Sequence, residues 1–99
     1  MWIMASGKIQ KLRWKLMTFE TPNESITANG TRWLEAYDIK QPGYQYVGIM
    51  GYYVLMNNCA CFTYNIRIST DSKVRFAVKN VSNTNGNVGI SFDVLYFSS

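Results

Sequence analysis

Residues 72–97, SKVRFAVKNVSNTNGNVGISFDVLYF, hold two runs that alternate with a period of two on either side of a polar break. Val74, Phe76 and Val78 alternate with Lys73, Arg75, Ala77 and Lys79; after the break, Val88, Ile90, Phe92, Val94 and Tyr96 alternate with Gly89, Ser91 and Asp93. Successive side chains of a strand point to opposite faces, so each run presents one apolar side. The break, residues 80–87, is rich in Asn, Ser, Thr and Gly, which tolerate positive φ or bond their own backbone. The pattern predicts a long β-hairpin with one apolar face. Such a hairpin is not stable alone, so further strands must cover it.

The remaining residues supply those strands. Leu12, Trp14 and Leu16 alternate with Lys11, Arg13 and Lys15, and the apolar side then switches at Met17 to Phe19, as at a bulge or where a strand changes sheets. A short strand at residues 25–28 leads to Asn29 and Gly30, a tight-turn pair. Trp33, Tyr37 and Ile39 alternate across residues 32–40, and Gln41, Pro42 and Gly43 form a turn with Pro early and Gly late. Phe62, Tyr64, Ile66 and Ile68 alternate with Thr63, Asn65, Arg67 and Ser69.

The stretch at residues 44–55, YQYVGIMGYYVL, differs from these because it is apolar on both sides. Val47, Ile49, Tyr53 and Leu55 occupy one side and Tyr46, Met50, Tyr52 and Val54 the other, while Gly48 and Gly51 mark bending or close backbone approach. A solvated strand does not have this pattern. Tyr46, Met50, Tyr52 and Val54 are therefore candidate subunit-interface residues.

The expected fold is all-β: an antiparallel, jelly-roll-like sandwich of about seven strands without significant helix, after a flexible N-terminal segment at residues 1–7 and forming one domain over residues 8–99. A chain of 99 residues is of single-domain size and has a thin core. Hydrophobic residues at 47% against 16% charged exclude a disordered chain. The longest apolar run, residues 46–56, is too short to cross a bilayer, and the opening residues lack the charge and apolar length of an export signal. Synthesis in a cytosol without export, with no membrane partner, is the expectation.

Chemistry finds little footing. No His is present, which removes the commonest general base. Glu35 and Asp93 are the carboxylates to consider as a hydrolytic pair, but nothing in the pattern places them together. No enzyme activity, cofactor or metal is expected. Cys59 and Cys61 are too few for a zinc site and too close for an unstrained bridge, and read as reduced thiols. Asn23, Asn29 and Asn80 match the N-glycosylation pattern, yet turn chemistry accounts for each. The net charge of +4 is dispersed, with stripes at Lys11, Arg13 and Lys15 and at Lys73, Arg75 and Lys79. Because the aromatics fall on the alternation claimed by a core, no nucleic-acid partner is expected. A carbohydrate-binding reading would need an exposed aromatic platform with amides, and Trp33, Tyr52, Tyr53, Asn57 and Asn58 are the candidates for it.

Five stretches carry a family resemblance: SITANG at residues 25–30, GYQYVGIMG at 43–51, YNIR at 64–67, VRFAVKN at 74–80 and VGISFDVLY at 88–96. Together they resemble the small C-terminal β-sandwich domains of bacteriophage tail and virion surface proteins, of receptor-binding or fibre-tip type. The resemblance implies a virion structural role at the virion surface, as a homotrimer in contact with other virion proteins or a host-surface glycan. It brings no catalytic residue with it.

Overall fold

The computed structural model describes residues 2–5 and 8–98, with side chains from residue 11 onward. These residues form ten strands and no helix: β1 (Trp2–Ala5), β2 (Lys8–Lys11), β3 (Arg13–Glu20), β4 (Glu24–Ile26), β5 (Thr31–Trp33), β6 (Tyr37–Asp38), β7 (Gln45–Asn57), β8 (Cys61–Ile68), β9 (Lys73–Asn80) and β10 (Gly86–Ser98). β1 and β2 pair only with each other, Trp2 opposite Lys11 and Ala5 opposite Lys8. They fall partly within the stretch expected to be flexible, whose Met1, Ser6 and Gly7 lie outside the described residues. The other eight strands form two antiparallel four-stranded sheets, which is the expected sandwich with more and shorter strands than the alternation suggested.

Each sheet is built around one of the two alternating runs of residues 72–97. In the first, β10 pairs with β7 along one side and with β3 and β4 in succession along the other. In the second, β9 pairs with β8 on one side and with β5 and β6 on the other. β9 and β10 are therefore not a hairpin. They pair with different neighbours and meet face to face, Phe76 against Phe92 with ring centroids 5.1 Å apart. Two strands that each carry a full apolar row bury more of it by stacking across a core than by lying side by side.

Val88, Ile90, Phe92, Val94 and Tyr96 on β10 and Val74, Phe76 and Val78 on β9 are almost wholly buried, as are Leu34 and Ile39 from the chain beside β5 and β6. Phe19 and Tyr37 close on Phe92 at 5.6 and 5.7 Å. The link from β9 to β10 is an arch held by Asn80, which has no solvent exposure. Its amide nitrogen donates to the carbonyls of Thr27 at 3.0 Å and Thr84 at 2.8 Å. Its oxygen accepts from the Ser82 amide at 3.0 Å and hydroxyl at 2.7 Å. An Asn so enclosed is a structural strut and cannot receive a glycan in the folded chain.

The expected turns form. Gly43 takes a φ of +79° after Pro42, and the Tyr44 amide bonds the Gln41 carbonyl at 3.0 Å, the type II arrangement. Ser72, at φ +62°, closes the one tight hairpin between sandwich strands, β8 to β9.

Candidate functional site

Three departures from the expected faces define the surface. The first is in β3. Its register with β10 runs without a shift from Glu20 opposite Ser91 to Arg13 opposite Ser98, so the apolar switch at Met17 is not a bulge. Lys15, Met17 and Phe19 all point between the sheets, and Trp14 and Leu16 point outward. Lys15 is tolerated inside because it sits at the end of the sandwich. Its ammonium reaches the Gln41 side-chain oxygen at 3.1 Å and lies 4.3 Å from the Tyr44 ring centroid.

The second is in β7, an edge strand. Its pairing with β10 slips twice, leaving Val47 and Met50 without partners, so the bends marked by Gly48 and Gly51 are β-bulges. The two-face assignment holds from residue 51 on and is shifted before it: Tyr46, Ile49, Tyr52, Val54 and Met56 share the inner face, opposite Tyr96, Val94, Phe92, Ile90 and Val88. Of the four interface candidates, Tyr46, Tyr52 and Val54 are thus on the inner face at the open edge, and Met50 is an exposed bulge residue. Outside, Tyr53 is 66% exposed, Leu16 59% and Met50 55%. Leu16 lies beside Leu95, and Trp14 beside Phe97 with ring centroids 6.0 Å apart. The outer face of the first sheet therefore has an apolar end, bounded by the hydroxyl of Thr18 donating to Asp93 at 2.6 Å.

The third is in β8. A register shift between Thr63 and Asn65 keeps Ile66 and Ile68 inward while Phe62, Tyr64 and Arg67 sit outside. The outer face of the second sheet consequently carries Phe62 and Tyr64 beside Lys79, Arg75 and Lys73 of β9. Trp33 of β5 pairs with Ala77 on the same face, and its ring centroid lies 5.1 Å from the Arg75 guanidinium and 5.5 Å from that of Arg67.

The five residues expected to make a sugar platform are not gathered into one. Trp33 is on the outer face of the second sheet, Tyr52 points between the sheets toward Phe76 at 6.2 Å, and Tyr53 is on the outer face of the first. Asn57 pairs opposite Asn87, and Asn58, at φ +62°, serves the turn that follows. Adjacent tyrosines on a strand necessarily face opposite ways. Glu35 and Asp93 are likewise separated, one after β5 and the other on β10 of the opposite sheet. Among the described residues no three His, Cys, Asp or Glu side chains come together as a metal site.

One further feature went unsignalled, and the expected reduced thiols are present. An open pocket of about 300 Å³ at the sandwich end is lined by Tyr44, Tyr46, Tyr96, Gln41 and Gln45, though Lys15 already occupies one face of Tyr44. Cys59 and Cys61 are free thiols with sulfurs 3.5 Å apart. Burial, and then the neighbouring Cys59 thiol, push the Cys61 pKa up to about 12, so Cys61 is held as the unreactive thiol. Comparisons with models of protein families, with curated proteins and with solved structures return no match.

Proposed function

We propose that this chain is a structural assembly module, a β-sandwich that associates with copies of itself as a trimer at a virion surface. The observation that carries self-association is the character of β7. Its thirteen residues include no charged side chain and no Pro, yet it is an edge strand. Edge strands are normally blunted by charge, Pro or bulges, because their free N–H and C=O groups template further pairing. Here the bulges interrupt only the first half, and residues 51–57 keep a continuous register, backed by exposed Tyr53 and Met56. The apolar end of the first sheet, with Trp14 and Leu16 of β3 across β10 from β7, adds a second exposed apolar surface on the same face. The virion setting rests on the resemblance of residues 25–30, 43–51, 64–67, 74–80 and 88–96 to phage surface domains.

Light scattering at micromolar concentration tests the assembly, with three times the chain mass expected. Leu16→Lys and Tyr53→Lys, both at exposed positions, are expected to weaken association about tenfold or more without unfolding the chain. A monomer that persists at 100 μM (a concentration of about the upper limit for weak homo-oligomers, near −5.5 kcal/mol) overturns the reading. Immunogold labelling of purified particles tests the setting.

A further inference from the structure

We propose that the outer face of the second sheet binds single-stranded nucleic acid. The sequence argued against such a partner on the ground that its aromatics belong to the core, and for this face that ground is removed. Phe62 and Tyr64, 45% and 53% exposed, are turned outward by the β8 irregularity, with ring centroids 6.4 Å apart. Trp33 lies on the same face, flanked by two guanidinium groups.

Arg67, Arg75 and Lys79 on this face lack the counter-ions that would make them ordinary surface charge. Arg67 and Arg75 are direct cross-strand partners, an arrangement in which like charges oppose pairing. Among the described residues the salt bridge present is Arg32 to Glu24, on the far edge, and no carboxylate lies within 4.0 Å of Arg67, Arg75 or Lys79. In the free chain the Trp33 ring offsets part of this repulsion and no counter-ion does, so a bound polyanion would relieve the rest.

The face also distinguishes between polyanions. Sugar hydroxyls need acceptors as well as donors, whereas Arg and Lys side chains supply donors alone, and the neutral acceptors beside them include the Asn65 amide and the Tyr64 hydroxyl. The carboxylate on this face, Asp38, is opposite Lys73 at its end. Phosphates suit the donor-only cations, and bases suit the exposed rings, since every base has a π-face to stack. A sheet face of this composition is a recurrent platform for unpaired strands. The inference is independent of self-association, which uses the opposite sheet.

Fluorescence anisotropy with a labelled oligothymidine and the full chain provides the test. Three phosphate contacts predict a slope of log affinity on log salt of about −2.1, or about 20-fold weaker binding at 200 than at 50 mM salt. The double substitution Arg67→Gln and Arg75→Gln should bring the slope to about −0.7. Phe62→Ala and Tyr64→Ala should each weaken binding about fivefold or more at an unchanged slope. Circular dichroism checks that the variants fold, and Lys79→Gln supplies a second charge variant should the double one not. The proposal is overturned by an absence of binding at 50 mM salt. It is equally overturned if heparin binds as tightly as the oligonucleotide and the aromatic substitutions change nothing, which would mark an acidic-glycan or charge-only surface.

Discussion

Asn80 offers the sharpest test of how this fold is held, because one side chain ties the ends of both sheets. It makes four hydrogen bonds, two donated and two accepted, to Thr27, Thr84 and Ser82. Asn80→Ala deletes all four and leaves the Ser82 amide without a partner, while the Thr27 carbonyl keeps the Gly30 amide and the Thr84 carbonyl keeps the Ser82 hydroxyl. At about 1 kcal/mol net per bond the sum is about 4 kcal/mol. Solvent entering the arch returns part of this, so a loss of about 3 kcal/mol is expected. In a domain whose total stability is about 5–15 kcal/mol that is a large fraction. It corresponds to a fall in Tm of roughly 12–24 °C, and in urea to a midpoint lower by about 1–3 M with the slope unchanged. Asn80→Asp keeps the shape but aims carboxylate lone pairs at carbonyls 2.8 and 3.0 Å away. It should cost at least as much at pH 7 and recover partly in acid, where the protonated group regains a donor. Denaturation followed by circular dichroism measures both. Losses under about 1 kcal/mol for both variants would refute the idea that this amide organises the arch.

Two further outcomes follow from burial. Tyr96 is enclosed and its hydroxyl donates to the Ile39 carbonyl; burial, and then the charge of Asp38, push its pKa up from 10.0 to about 12. A raised folded-state value favours the neutral phenol, so this stabilisation is complete below pH 10 and is lost between pH 10 and 12. Ultraviolet titration should therefore find one of the seven tyrosines ionising last, together with unfolding, and Tyr96→Phe should remove that late step. Ionisation of Tyr96 with the others in the folded protein would contradict the assignment. Cys61, with its raised pKa, should be alkylated by iodoacetamide at pH 8 only after Cys59, which is part-exposed. Mass spectrometry of the labelled native chain reads the order, and modification of Cys61 first would show that its burial is not what governs it.

The surface proposals bear differently on the two sheets. The first sheet has an apolar outer end and a free, uncharged edge, and the second has a cationic, aromatic outer face. A sandwich with two unlike outer faces can hold a copy of itself on one and a ligand on the other. That division makes the two tests separable, since substitutions at Leu16 and Tyr53 and substitutions at Phe62 and Arg67 lie on opposite sheets.

Period-two alternation was enough, on its own, to establish the class of fold and the two central rows of the core. Side chains alternate across any strand, so Val74, Phe76, Val78 and the row from Val88 to Tyr96 had to share an inner side whatever they paired with. The turn residues Asn29 and Gly43 likewise act through local dihedral preferences, and need no tertiary context. Pairing is different. A strand's backbone bonds equally well to any partner, so only the packing of two apolar rows against each other set β9 and β10 in opposite sheets. The outward turn of Phe62 and Tyr64 came from one unpaired residue in β8, and the inversion of Trp14 and Leu16 from the inner rank assigned to Met17 and Phe19. A shift of one residue exchanges the faces of a strand, and its cause lies in neighbours remote in the chain. The surface, and with it both proposed partners, was decided there.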